Sequence, residues 1–253
     1  MTPTLESTMR ELGVCVVIPT YNNGQLLADV LDAVLRYASQ VVVVNDGSTD
    51  HTGEILERYK ARVATVSYPQ NRGKGYALSR GFGRAAALGY AYVITMDSDG
   101  QHLADDLPLL VEAAKAHPKA MIVGSRALRQ ENMPIGNTFA NKFSNFWFTV
   151  QTGVRLPDTQ TGFRLYPLAK MRGMRALTSR YEAELELLVR LAWRNVTLIP
   201  IPIRVRYPPA GERVSHFRPI TDFLRISALN TILFFLAIIY GYPSKLIRSI
   251  IKN

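Results

Sequence analysis

The sequence predicts an α/β fold, a mainly parallel sheet flanked by helices on both faces, with a helical extension at the C-terminus. Three observations lead there. Short β-branched runs closed by proline, aspartate or serine alternate with amphipathic stretches through the first hundred residues. Such alternation makes crossover units, and crossovers build parallel sheets covered on both faces. Beyond about residue 210 a basic segment leads into an apolar one.

Gly13 to Pro19 (GVCVVIP) reads as a buried strand. A helix follows from Gln25 to Tyr37, with Leu26, Leu27, Val30, Leu31, Val34 and Leu35 on one side. Val41 to Val44 is a second all-apolar strand, and Asn45-Asp46-Gly47-Ser48 turns the chain into a helix around Gly53 to Lys60. Arg62 to Ser67 is a third strand. The loop Asn71-Arg72-Gly73-Lys74-Gly75 opens an alanine-rich helix ending near Gly89, and Tyr92 to Met96 is a fourth strand stopping at Asp97. Further on, Asn137 to Thr149 reads as an amphipathic aromatic helix, and Asp158 to Tyr166 as a polar turn entering a strand. Tyr181 to Trp193 is a helix, and Val196 to Val205 a strand interrupted by Pro200 and Pro202. No internal repeat or low-complexity linker divides the chain. The expectation is one domain over residues 10–210 and a basic, then apolar, extension over residues 211–253.

With 47% hydrophobic and 20% charged residues, the 253-residue chain can bury a core and is not a disordered sequence. Its formal charge of +10 favours anionic partners: phosphorylated substrates, an anionic bilayer or nucleic acid. No nucleic-acid motif or interleaved aromatic-basic platform accompanies that charge. Cys15 is alone, which excludes a disulfide framework or a thiolate metal cluster and fits a reducing compartment. His51, His102, His117 and His216 show no metal-site spacing among themselves. The first residues carry no apolar signal-peptide core. The stretch Ile226 to Tyr242, broken by Ser227, Asn230 and Thr231, is marginal for a spanning helix, and reads equally as a core or interfacial helix.

The sharpest chemical feature is Asp97-Ser98-Asp99-Gly100-Gln101-His102, directly after an apolar strand. Two carboxylates one residue apart can reach a single hard cation, and Mg²⁺ or Mn²⁺ shares such oxygens with substrate phosphates. The bland alternative is a solvated Asp-rich turn. Asn45 and Asp46 can hydrogen-bond a base or ribose edge, while Ser48 or Asp50 can cap the next helix. The glycines of Asn71 to Gly75 permit close backbone approach, and Lys74 adds a point charge suited to a diphosphate. They equally suit an ordinary Gly-rich turn.

Taken together and in order, Pro19-Thr20-Tyr21-Asn22, Asn45-Asp46-Gly47-Ser48, Asn71 to Gly75 and Asp97 to Gln101 resemble the family 2 glycosyltransferases. Within them the chain resembles the polyprenyl-phosphate (dolichyl-phosphate) mannosyl- and glucosyltransferase branch, over about Val14 to Tyr207. The resemblance implies a GT-A fold and a nucleotide-sugar donor. It implies a metal held by Asp97, Asp99 and Gln101. Pro19, Tyr21, Asn22, Asn45, Asp46, Gly73, Lys74, Gly75, Asp97 and Ser98 match positions around the nucleotide-sugar. Gly124-Ser125-Arg126 matches a segment whose arginine lies near the active site. Asp158 to Arg164 (DTQTGFR) matches an acceptor-side motif, and Glu186 matches the main carboxylate of the following acidic helix. Arg213, Ser215 and His216 match a late phosphate-closing segment. Three positions depart from the pattern: Asn45 replaces an aspartate, Asn23 replaces a glutamate, and His216 replaces a lysine.

The implied reaction is inverting transfer of a sugar from GDP-mannose or a UDP-hexose, with Mg²⁺ or Mn²⁺, to a lipid-linked acceptor, most simply polyprenyl phosphate. A lipid or glycan hydroxyl is the alternative acceptor, and it would need Asp158 or Glu186 as base. Arg126 and Arg164 are the basic candidates beside them. The expected partners are the donor, the lipid acceptor and a membrane surface at its cytoplasmic face, with no nucleic acid. A non-catalytic nucleic-acid-binding protein is the remaining rival, which leaves the Asp97–Asp99 pair without a purpose. The sequence leaves the oligomeric state open.

Overall fold

In the computed structural model, which describes residues 4–126, 135–174, 176–206 and 219–252, the central strand is Val14–Thr20 (β1), buried at every position. It follows a short N-terminal helix, Leu5–Leu12 (α1), that the pattern of apolar residues does not announce. The helix Gly24–Leu35 (α2) leads to Val41–Asp46 (β2), also buried throughout, and Thr52–Tyr59 (α3) leads to Ala64–Tyr68 (β3). Burial alternates along β3, as it should for an edge strand with one face on the core. The helix Lys74–Ala87 (α4) then crosses to Tyr92–Thr95 (β4).

A short 3₁₀ turn and the helix Leu107–Ala116 (α5) precede Met121–Arg126 (β5), two elements absent from the sequence-based expectation. Ile135–Thr152 (α6), Arg164–Pro167 (β6), the four-residue Leu168–Met171 (α7), Glu182–Trp193 (α8) and Leu198–Ile203 (β7) follow. Pro219–Leu236 (α9) runs through a π-helical turn at Ala237–Gly241 into Tyr242–Lys252 (α10).

The strands form one seven-stranded sheet in the order β3-β2-β1-β4-β6-β5-β7. All neighbours are parallel except at β6, which runs antiparallel between β4 and β5. The expected α/β class is therefore what the chain adopts. Pro200 and Pro202 fall on β7, the other edge, where a missing N–H costs no ladder bond on the open side.

Alternate residues of β1 feed two cores. Val14, Val16 and Ile18 pack with Leu27, Leu31, Leu107 and Leu110 beneath α2 and α5. Cys15 and Val17 pack on the other face with Leu78, Phe82, Leu188 and Trp193, joined by Leu229, Leu233 and Ala237 of the C-terminal helix. Burial pushes the Cys15 thiol up to about 12, so it is an inert core residue.

Candidate active site

The carboxyl ends of β1, β2 and β4 deliver three loops to one edge of the sheet, where open α/β folds bind their ligands. The first two loops are tied to each other. Asn22 sits at φ +46, and its Oδ1 accepts from Thr49 N at 2.7 Å while its own N–H donates to Ser48 Oγ at 3.0 Å. Asn45 Oδ1 accepts from Ser48 N at 3.0 Å, closing the turn after β2. The N-cap position of α3 is His51 rather than the expected Ser48 or Asp50; Asp50, one residue earlier, accepts from Thr52 N and also from Gly24 N, both at 3.0 Å. Asn22 and Asn45 thus shape this rim through local bonds. Between them stands Tyr21, half-buried, after the buried Pro19–Thr20 end of β1.

Asp46 is buried, and its two oxygens accept from Arg72 N at 2.7 Å and Gly73 N at 2.9 Å. It therefore anchors the Asn71–Gly75 loop. The glycines of that loop serve an approach the sequence did not specify. A Cβ on Gly75 would stand 2.3 Å from the Ala183 Cβ, and one on Gly73 would stand 2.6 Å from Ser179 O. The close approach is to the start of α8, sealed by Tyr76 N donating to Ser179 O at 2.9 Å. That contact brings a carboxylate from α8 to Lys74.

Lys74, the first residue of α4, places Nζ 2.7 Å from Asp97 Oδ1 and 2.8 Å from Glu184 Oε2. Burial alone would push the ammonium down, but the two carboxylates outweigh it and hold its pKa above the usual lysine value. Asp97 is likewise desolvated, yet Lys74 holds it below the ordinary carboxylate range. Asp99 has no comparable ion pair among the described residues. Burial and the neighbouring Asp97 charge raise it to about 6, although Gln101 N donates to its Oδ1 at 3.0 Å. Ser98 is buried, and Asn23 Nδ2 donates to both its carbonyl and its Oγ. Gly162 forms the wall: a Cβ there would meet Asp97 Oδ2 at 2.8 Å and Lys74 Nζ at 3.0 Å.

His102 closes the turn. Its Nδ1 accepts from Asp97 N at 3.5 Å and its ring stacks on Phe163, with centroids 5.3 Å apart. Burial lowers its pKa to about 4, so it is a neutral structural imidazole at physiological pH.

The acceptor-side motif is built differently. Asp158 is fully buried, and Arg126 grips it through Nε at 2.6 Å and Nη2 at 3.0 Å. Arg126 N, Asn141 Nδ2 and Gln160 N complete its set of donors. Burial alone would raise its pKa, but the Arg126 bonds dominate and hold it low. Arg164 is also fully buried; it donates to Glu184 O and Thr159 O, both at 2.8 Å, and so stands behind the site. Glu186 points elsewhere, accepting from Leu177 N and from the backbone and hydroxyl of Thr178, with Arg190 Nε 3.0 Å away.

The structure thus brings Lys74, Asp97, Asp99 and Ser98 together, and adds Glu184, which the sequence did not single out, while Glu186, the candidate carboxylate of that helix, lies on the other face of α8. Helix geometry is the reason. Residues 182 and 186 share a face of α8, and 184 lies on the opposite one. Only the packing of α4 against α8 decides which face meets the site. Arg213, Ser215 and His216 lie outside the described residues.

The donor chemistry fits a hard cation. Asp97 and Asp99 share a desolvated volume in which the repulsion between them raises the Asp99 pKa, and Glu184 Oε1 is buried without a hydrogen-bond partner among the described residues. Among those same residues, no three His, Cys, Asp or Glu side chains already gather in ligating geometry. A cation bound chiefly through two carboxylates and substrate phosphates needs no such trio.

An acidic turn at the end of a central parallel strand, faced by a lysine at a helix N-terminus, sits here in a GT-A-like fold. Glucosyl-3-phosphoglycerate synthase from Mycobacterium tuberculosis, solved with Mn²⁺, UDP-glucose and phosphoglyceric acid, superposes with TM-score 0.65 at 18% identity. The match covers 92% of this chain and 82% of that one. The chain belongs to glycosyl transferase family 2, whose pattern matches residues 15–167, and it is a glycosyltransferase. Similar proteins include the UDP-N-acetylglucosamine–dolichyl-phosphate N-acetylglucosaminyltransferase of Methanococcus voltae, 25% identical over 77% of this chain and 86% of its own length. The undecaprenyl-phosphate mannosyltransferase of Micrococcus luteus is 29% identical over 79% of this chain and 86% of its own. The polyprenol monophosphomannose synthase of Mycolicibacterium smegmatis is 28% identical over 79% and 78% respectively.

Proposed function

We propose that this chain transfers a hexose from a nucleotide-sugar, GDP-mannose or a UDP-hexose, to a lipid-linked phosphate, most simply polyprenyl phosphate. The reaction is a metal-dependent, inverting displacement at the cytoplasmic face of a membrane. The observation that carries the choice of acceptor is the saturation of Asp158. A hydroxyl acceptor would need that carboxylate, or Glu186, to take a proton; the Arg126 bonds hold Asp158 low, and Glu186 is turned to Leu177, Thr178 and Arg190. A phosphate is already anionic and needs no base. Two relatives, by their names, act on dolichyl phosphate or undecaprenyl phosphate and a third makes polyprenol monophosphomannose, which supports the same reading.

In this reading Asp97 and Asp99, with Gln101 beside them, would hold Mg²⁺ or Mn²⁺, which would supply charge neutralisation to a diphosphate leaving group. Lys74 and the N-terminus of α4 present positive charge to the same diphosphate. The Asp46-anchored loop and the Asn22–Asn45 rim shape the nucleotide side. Arg126, fixed by Asp158, faces the acceptor phosphate, with Arg213, Ser215 and His216 assigned to the same phosphate. The bond from the anomeric carbon to the diphosphate oxygen breaks as an acceptor phosphate oxygen attacks from the opposite face, and alignment of the two supplies much of the rate.

The test is a turnover screen with Mg²⁺ or Mn²⁺ and GDP-mannose, UDP-glucose or UDP-GlcNAc, each with and without a short polyprenyl phosphate. Metal-dependent nucleotide release that requires the lipid is the expected result. Release that instead requires a lipid or glycan hydroxyl would overturn the acceptor and leave the class intact.

A further inference from the structure

The segment Thr221–Ile250 is long and apolar enough to cross a membrane, but its two sides have different surroundings. Asp222, Leu229, Leu233, Ala237 and Gly241 lie at helical spacing and are buried against the domain. On the other side Leu224, Ile232, Phe235, Ile239, Leu246 and Ile250 are exposed, Ile239 by 75%. The buried side is fastened along its length. Gln151 Nε2 donates to Asn230 O and Oδ1 at 3.1 and 3.0 Å, and Tyr242 Oη donates to Val150 O at 2.6 Å. Gly241 lies so close to Trp193 that a Cβ would stand 2.5 Å from the indole. Asn195 Nδ2 donates to Lys245 O, Lys245 Nζ to Thr152 O and Arg248 to Trp193 O.

A spanning helix must meet hydrocarbon on all sides for roughly 20 residues. Here that would require either breaking every one of these contacts or drawing α6 and α8, with Glu186 and Arg190, into the hydrocarbon. Charged groups at that depth are costly even when they pair. An apolar stripe on a helix that is anchored from behind is satisfied by a surface instead. Charge identifies the surface. Arg194, Lys245 and Arg248 gather, half-buried, where the C-terminal end of the helix meets the domain; each donates to backbone carbonyls, which neutralise no charge, and none has an ion pair among the described residues. Such a cluster of cations favours an anionic counterpart. Exposed Phe146 extends the apolar surface onto α6 through Trp147 and Phe234.

We infer that the Thr221–Ile250 helix lies in the plane of an anionic bilayer surface, its outer stripe immersed and its inner stripe fixed to the catalytic domain. This mode of docking rests on the lipid-acceptor reading and makes α6 the link between the bilayer and the acceptor motif, since Asn141 and Asn145 of the same helix hold Asp158 and Thr159.

Single cysteines at exposed Thr221 and Ser249, in a Cys15→Ser background, would be expressed in a bacterium and probed with a membrane-impermeant maleimide. Labelling of both in inside-out membrane vesicles, and of neither in right-side-out ones, is expected; labelling of the two from opposite sides overturns the inference. Flotation of purified protein with phosphatidylglycerol-containing vesicles should exceed that with neutral ones, and Phe235→Ser with Ile239→Ser should lower it about tenfold or more. Absence of flotation, with transfer to polyprenyl phosphate in detergent intact, sinks the docking mode and leaves the acceptor reading standing. Flotation without transfer to that lipid does the reverse.

Discussion

Asp97 and Asp158 are both carboxylates held by a cation beside the same loop, residues 158–164, yet their surroundings differ. Asp158 is bound by the Arg126 guanidinium and backbone N–H and by two further donors, Asn141 and Gln160, so its oxygens have no capacity left for a ligand. Asp97 shares one lysine with Glu184, lies against a glycine wall, and presses its charge on a desolvated Asp99. The first arrangement fixes geometry, because the Asp158 oxygens are filled by donors from the fold itself. The second leaves negative charge in a desolvated place, which costs stability unless something positive arrives. A buried carboxylate is therefore not by itself a sign of chemistry; the balance of donors around it is.

The comparison breaks most sharply at Asp97. Asp97→Asn should lower turnover on the order of a thousandfold, about 4 kcal/mol of transition-state stabilisation, while the melting temperature stays within a few degrees. An Asn variant that turns over normally would remove Asp97 from the chemistry. Asp158→Asn should do the opposite and show first in stability. It leaves Arg126 largely buried beside an uncharged amide, at a cost of about 3 kcal/mol, read from urea unfolding. Glu186→Gln should behave like Asp158→Asn but smaller, about 2 kcal/mol, with kcat per folded molecule unchanged. Glu184→Gln should act on kcat instead, and equal behaviour of the two would erase the distinction between the faces of α8.

His102 tests the neighbourhood by pH. Its folded pKa of about 4 lies below the 6.5 of the free imidazole, so between those values the unfolded chain binds the extra proton. Native stability is therefore fully retained above about pH 6.5 and declines as pH falls toward 4. His102→Phe, which keeps a ring against Phe163, should lack that decline. The wild type should lose roughly 1.5 kcal/mol relative to the variant between pH 7 and pH 5, by paired denaturant curves. The smallest effect belongs to Asn145→Ala. Losing the bonds to Thr159 and Pro157 should cost about 1 kcal/mol, with KM for the acceptor lipid rising more than that for the donor.

Much of this was written locally. Apolar runs of the right length mark β1, β2 and β4, because a strand buried on both faces needs no alternation. The acidic turn was legible because residues 97–102 are contiguous and follow a strand directly. Helix α5 and strand β5 carry no comparable signal, and the antiparallel direction of β6 is a property of pairing that no local pattern encodes. The loop glycines were legible as a need for closeness, but not as closeness to Ser179 and Ala183, a hundred residues away.

By itself, then, the sequence determined the α/β class, the order of the strand-end motifs and the family, since each rests on short-range periodicity or contiguous residues. Tertiary structure decided which of the charged residues are chemically available. Glu184 rather than Glu186 reaches Lys74, Asp158 and Arg164 are spent on internal bonds, and the apolar C-terminal helix turns one side to the core. The physical reason is common to all three. Whether a charge or an apolar face is free depends on what is packed behind it, and those partners come from segments far apart in the chain.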